Sequence, residues 1–198
     1  MHATGDRALD DSHLALREAR ARYFAANGFD EGSYTERWVK LMAGPVPIFL
    51  PNSAARVRSV RLHDLHHALT GYATTWTGEA EIGAWENAAG CAEHYAAWTL
   101  NLLAMGIGLF LAPAAVWRAF VRGRHSRNLY RTEFSDALLE RRVGAMRSEL
   151  ALERDPPRAR FGDNVAFAAW SVASVLILAA VAAATLSVLL APGWLLLR

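Results

Sequence analysis

From Asn164 to Leu197 the chain has 34 residues without a charged side chain, and alanine, valine, isoleucine and leucine dominate from Val165 to Leu190. A helix rises about 1.5 Å per residue, so this run is more than long enough for the roughly 30 Å hydrocarbon core of a bilayer. Only a helix satisfies its own backbone there, so the run predicts a C-terminal transmembrane helix, with Trp170 and Trp194 as interfacial anchors. Asp155-Pro156-Pro157-Arg158 precedes it and reads as a linker. The chain is thus expected to divide into a helical domain, residues 1–157, and a transmembrane anchor, residues 158–198.

The charge pattern agrees with a membrane location. Net charge is only +2, but residues 1–95 hold nine basic and twelve acidic side chains, whereas residues 118–163 hold eleven arginines against seven acids. A basic surplus beside an apolar segment suits anionic lipid, and no nucleic-acid partner is expected. The positive-inside tendency puts residues 1–160 on the cytoplasmic side of the membrane. A second uncharged run, Tyr95 to Trp117, has the length to cross, but Asn101, Gly106, Gly108 and Pro113 interrupt it. A single span is preferred, with this run as a buried or half-embedded helix. Cys91 is the only cysteine, which excludes an internal disulfide and a thiolate metal cluster. The N-terminus leads into charged sequence and lacks a signal peptide's apolar core.

Periodicity and capping residues predict an all-α fold. A first helix spans about 13–26, with Leu14, Leu16, Ala19, Tyr23 and Phe24 on its apolar side, and Asn27-Gly28 ends it. A short helix is expected from Ser33 or Thr35 to about Leu41, then an apolar loop through Phe49, Leu50, Pro51 and Asn52. Further helices are expected from Ser53, from Gly78 to about Trp98, and over 133–152, where Leu138, Leu139, Val143, Met146 and Leu150 share a side.

The chemistry concentrates between His63 and Glu79. His63 and His67 stand one helical turn apart on one face, Asp64 is adjacent, and Gly71 lets a second helix bring Glu79 back towards them. Two imidazoles with one or two carboxylates form a mixed nitrogen and oxygen set suited to a divalent metal: zinc first, iron(II) next, manganese also compatible. His66 points off this face and reads as a supporting or surface group; His94, beside Glu93, reads as a surface pair. Glu79, Glu86 and Glu93 recur every seven residues, within roughly 40° of one another on a helix, so the stripe lines either solvent or the same pocket. A core histidine pair bonded to Asp64 is the simpler alternative. A zinc protease would carry glutamate at position 64, so proteolysis is not inferred.

His63-Asp64-x-x-His67, eleven residues and then Glu79 resembles the H-D-x-x-H-x11-E signature of the Coq4 family of ubiquinone biosynthesis proteins. Leu69-Thr70-Gly71-Tyr72 and Gly78-Glu79 resemble it too, and Glu86 falls where that family commonly carries a second glutamate. The likeness covers roughly residues 15–152, including Trp117 to Gly123 and Leu139 to Leu150. It implies an all-helical, membrane-bound protein with metal at His63, Asp64, His67 and Glu79. It also implies a polyprenylated quinone precursor or related isoprenoid lipid as partner, and association with other quinone-biosynthesis proteins. The implied activity is oxidative decarboxylation at ring carbon 1 of a polyprenylated benzoate, with Glu86 as the pocket's catalytic acid or base. The C-terminal hydrophobic segment departs from that family's pattern. Two alternatives stand beside this reading: a non-catalytic lipid-binding scaffold, and a metal-dependent lipid-phosphate hydrolase that would use Arg56, Arg58 and Arg61.

Overall fold

The computed structural model describes residues 11–43, 46–152 and 158–196, with side chains left out at 33, 41–48, 50 and 188–196. Most of the linker and the Trp194 side chain lie outside the described residues, as do positions 1–10. The fold is all-α, as expected, apart from one hairpin.

A 3-10 turn at Asp11–His13 leads into helix α1, Leu16–Asn27, which Gly28 ends in the left-handed conformation at φ 67°. There a side chain would be strained. The single turn α2, Gly32–Thr35, does not continue to Leu41. Residues Trp38–Ala43 (β1) instead pair antiparallel with Val46–Pro51 (β2), Trp38 opposite Pro51 and Ala43 opposite Val46. The alternation of aromatic and branched residues overrides the helical reading, and a two-stranded ribbon has two edges to tolerate Pro47 and Pro51.

Helix α3, Ala54–Thr70, begins where expected: the Ser53 hydroxyl accepts from the Arg56 backbone N–H. It carries His63, Asp64, His66 and His67. Its last carbonyls are met by arginines from other elements, Arg147 donating to the oxygens of Ala68 and Leu69, and Arg122 to that of Thr70. Cations there also oppose the negative end of the helix dipole. Thr75 caps α4, Trp76–Ala89, through the Gly78 N–H. The helix expected to reach Trp98 stops at Gly90 (φ 88°), turns through Cys91–His94 with Ala92 also at positive φ, and resumes as α5, Tyr95–Leu111. Pro113 opens α6, Pro113–Arg124, which folds back along α5. The stretch expected to be one helix over 133–152 is two short ones, α7 at Asp136–Leu139 and α8 at Val143–Glu149.

The core lies among α3, α4, α5 and α6, centred on Trp85, Ile82, Leu62, Leu65, Met105 and Phe120, all buried. Glycines let α4 approach its neighbours. A Cβ on Gly83 would lie 3.1 Å from the Asn101 carbonyl oxygen, and one on Gly123 would lie 2.3 Å from that of Trp85. Helix α9, Phe161–Leu196, is the apolar C-terminal segment, and Phe161–Ser187 has the length and composition to cross a membrane. Its first half packs on α5 and α6. Trp170 stacks on Trp98 at 5.2 Å, Phe167 meets Phe120 at 5.4 Å, and Asp163 bonds Arg124 and His125.

Candidate metal centre

Helix α3 presents His63 and His67 one turn apart, and α4 brings Glu79 against both. The two Nε2 atoms lie 3.1 Å apart; one Glu79 carboxylate oxygen is 3.5 Å from that of His63, and the other is 3.4 Å from that of His67. Ligand atoms of these three residues fall within 4.8 Å of one another, close enough to hold a metal ion.

Hydrogen bonds fix which nitrogens face inward. His67 Nδ1 donates to the Tyr72 carbonyl oxygen at 2.9 Å, because a carbonyl only accepts. His63 Nδ1 donates to Glu86 Oε1 at 2.9 Å. In the neutral rings both Nε2 lone pairs are therefore left aimed at one small space that a carboxylate also faces. Two lone pairs at 3.1 Å repel unless a cation stands between them. For zinc, with bonds of about 2.0–2.1 Å, the edge of a tetrahedron of ligand atoms is about 3.3 Å, so separations of 3.1, 3.4 and 3.5 Å suit the ion without rearrangement. Tyr23 stacks over the His67 ring at 5.2 Å and 14°, holding its plane.

Glu86 anchors this arrangement from beneath and is fully buried. Its Oε1 accepts from His63 Nδ1 and from His66 Nδ1 at 2.6 Å; its Oε2 accepts from Tyr130 Oη at 2.8 Å and Asn101 Nδ2 at 2.6 Å. Four donors occupy both oxygens. The position expected to serve as acid or base is thus a positioning group that orients His63, as carboxylates commonly do for metal-binding histidines. His66, also fully buried, accepts the Leu129 N–H on Nε2 and reaches the site only through Glu86.

Asp64 stands apart from the three converging residues. Its Oδ2 accepts from the Tyr34 hydroxyl, and it lines the cavity beside them. Glu93 and His94 lie in the turn between α4 and α5, where the His94 ring packs on Tyr130 and its Nδ1 lies 3.3 Å from the Ser59 hydroxyl. His94 thus takes part in the core rather than the surface.

The protonation pattern follows the charges. Burial opposes a charged His63 imidazole, but the Glu86 and Glu79 carboxylates outweigh it and hold its pKa well above 6.5. Burial alone would raise Glu79; hydrogen bonds and charge from His63 and His67 hold it at about 2 instead. Glu86 is likewise kept well below the usual range against burial, by His63 and His66. Burial raises Asp64, with His63 and the Tyr34 hydroxyl offsetting only part of that.

A cavity of about 380 Å³ opens over the centre. Phe24, Phe29, Val60, Leu100 and Ala104 give it apolar walls, and His63, Asp64 and Glu79 form one polar side. Asn101 was legible as a lone amide in an uncharged run; nothing in the spacing marked Tyr130, Tyr23 or Tyr34 as its partners. No protein-family model, no curated protein and no solved structure matches the chain, so its chemistry has to be argued from these residues.

Proposed function

We propose that the chain is a membrane-anchored divalent-metal protein that acts on an amphiphilic substrate with a polar ring and an apolar tail, entered through the cavity above His63, His67 and Glu79. The observation that carries this is the pair of Nε2 lone pairs, 3.1 Å apart and facing a carboxylate, on the wall of an apolar cavity. The signature spacing supports a finer reading, a Coq4-like role in quinone biosynthesis on a polyprenylated benzoate. Such molecules are almost insoluble, which suits a protein tied to the bilayer by α9.

His63, His67 and Glu79 would hold the metal, with zinc the ion that their distances suit best. When bound, it supplies a Lewis acid that can engage a ring carboxylate or hydroxyl. Phe24, Phe29, Val60 and Leu100 would exclude water and align the apolar tail. Asp64, whose carboxyl is the one acid on the cavity wall with a raised pKa, can hold or receive a proton near the ring, with Tyr34 fixing its orientation.

One observation favours a second reading. Glu86 has both oxygens taken, so the strongest buried base is not free, and a metal that joins α3 to α4 within a non-catalytic lipid-binding scaffold needs no base. His67→Ala separates the two. Enzyme action expects loss of bound metal by elemental analysis and of quinone output in the host cell, with the fold retained by circular dichroism. Unchanged quinone output with metal lost removes the catalytic reading.

A further inference from the structure

Helices α5 and α9 run side by side in the same direction. Trp98 stacks on Trp170, and eight residues on, a Cβ at Gly106 would lie 2.9 Å from the Ser174 carbonyl oxygen and 3.5 Å from the Leu178 Cβ. α6 runs back the other way, so that Phe120 meets Phe167, and Arg124 and His125 meet Asp163. The turn between α5 and α6 therefore lies beyond the level of Leu178, where α9 leaves the domain. From Ala179 to Ser187 every residue of α9 is exposed, and the helix continues to Leu196. Eighteen residues from Ala179 to Leu196 rise about 27 Å, close to one hydrocarbon core.

Polarity is sorted along the same axis. Arg118, Arg122, Arg124, Arg160 and Asp163 all lie on the domain side, and no charged residue occurs between Tyr95 and Trp117. At the tip Phe110 is 72% exposed and Leu111 59% exposed. Trp76, at the N-terminus of α4, is exposed at the same end, because Ala80 packs on Gly108. An apolar tip with a cationic collar behind it, set beside a helix of spanning length, matches the interfacial zone of a bilayer.

We infer that the α5–α6 tip is a second membrane-inserting element, seated in the bilayer alongside α9, with Phe110 and Leu111 below the head groups and Arg118 and Arg122 at their level. This rests on α9 crossing the membrane, and it fixes the domain flush with the surface instead of leaving it on a tether. α5 lines the metal cavity with Ala97, Leu100 and Ala104, so the element that enters the lipid is also a wall of the site.

The test uses the full chain in phosphatidylcholine vesicles with 20% phosphatidylglycerol, about the anionic content of a biological leaflet. Single cysteines at Phe110, Arg124 and Leu186, all exposed, are labelled with an environment-sensitive fluorophore; the native Cys91 is buried and serves as the unlabelled background. Lipids brominated near the head group should blue-shift and quench the label at 110, while the label at 124 stays water-like and deeper bromines quench the label at 186. A quenched 186 with an unquenched 110 overturns the inference while the anchor stands. A label at 110 that is blue-shifted but untouched by bromines places protein, such as a second copy, over the tip and also overturns it. If neither 110 nor 186 is quenched, the membrane reading of α9 itself fails.

Discussion

Glu86 shows how one buried residue sets the chemistry of another. It lies beneath the metal centre rather than in it, yet it decides which nitrogen of His63 faces the cavity. Replacing it with glutamine keeps the volume but removes the charge that holds the His63 tautomer. Metal affinity is expected to fall about 10- to 100-fold, the usual cost of losing such a partner, as read by competition with a chromophoric chelator. Alanine at the same place would leave His63, His66, Tyr130 and Asn101 without their shared acceptor, a loss of about 3–5 kcal/mol expected for a broken buried charge network and measurable by chemical denaturation. Metal uptake should also depend on pH. The raised pKa of His63 means that the metal must displace a proton, so affinity rises with pH across neutrality, whereas Glu79, held at about 2, stays ionised and adds no slope there. Without metal the sign reverses for stability: between 6.5 and the raised value the folded state binds more protons than the unfolded one, so stability falls as pH rises. Calorimetric titration in buffers of different ionisation enthalpy measures the released proton, and none released at pH 7 would remove this account.

At the scale of elements, close approach of helices does the positioning. α4 carries Glu79 and Glu86 and is clamped from two sides by glycine contacts. A Cβ on Gly123 of α6 would meet the Trp85 carbonyl oxygen at 2.3 Å and the Ala88 Cβ at 2.8 Å; one on Gly108 of α5 would meet the Ala80 Cβ at 2.2 Å. These are backbone or Cβ atoms that cannot swing aside. Gly123→Ala is therefore expected to push α6 off α4 and lower stability by at least the roughly 1–3 kcal/mol typical of overpacking. Gly28→Ala makes the contrast: no atom lies within 4 Å of its added Cβ, and only the positive φ resists, at about 1–2 kcal/mol. Thermal melts of the two variants would rank them, and equal losses would mean that α4 and α6 are not tightly docked. Elements whose signals were local were legible in the sequence: the Ser53 cap, the Gly28 stop and the uncharged C-terminal helix. The hairpin at 38–51 was not, because its aromatic and branched residues fit either a short helix or a strand until a partner strand is known. The break at Gly90 escaped for a related reason, since an isolated glycine is tolerated within a helix and only the packing of Cys91 against Glu86 and Asn101 makes it a turn.

At the scale of the whole molecule, the question is whether α9 is an appendage. Sequence composition separates residues 1–157 from the anchor, and the His63–Glu79 spacing could be read without any knowledge of what lies against α5. The contacts say that the first half of α9 belongs to the core of the domain. Trp170, Phe167 and Ala166 pack against it, Ser174 is fully buried, and Gly106 is kept bare so that the Ser174 backbone can approach. A chain ending at residue 157 would expose the faces of Trp98 and Phe120 that α9 covers. Burial of a large apolar side chain is worth about 1.5–3 kcal/mol, so the loss of several such contacts is comparable with the 5–15 kcal/mol that holds a typical domain together. The expected outcome is that fragment 1–157 aggregates or melts well below the full chain in detergent, even though the removed segment looks like a mere tether. Fragment 1–178, which keeps every residue of α9 that touches the domain and loses those exposed from Ala179 onward, should fold and bind metal as the full chain does, while no longer remaining in the membrane pellet after alkaline extraction. Elution as a single species with an unchanged melting point for 1–157 would show that α9 contributes nothing to the fold. Retention of 1–178 in the pellet would mean that the α5–α6 tip holds the membrane without a spanning helix.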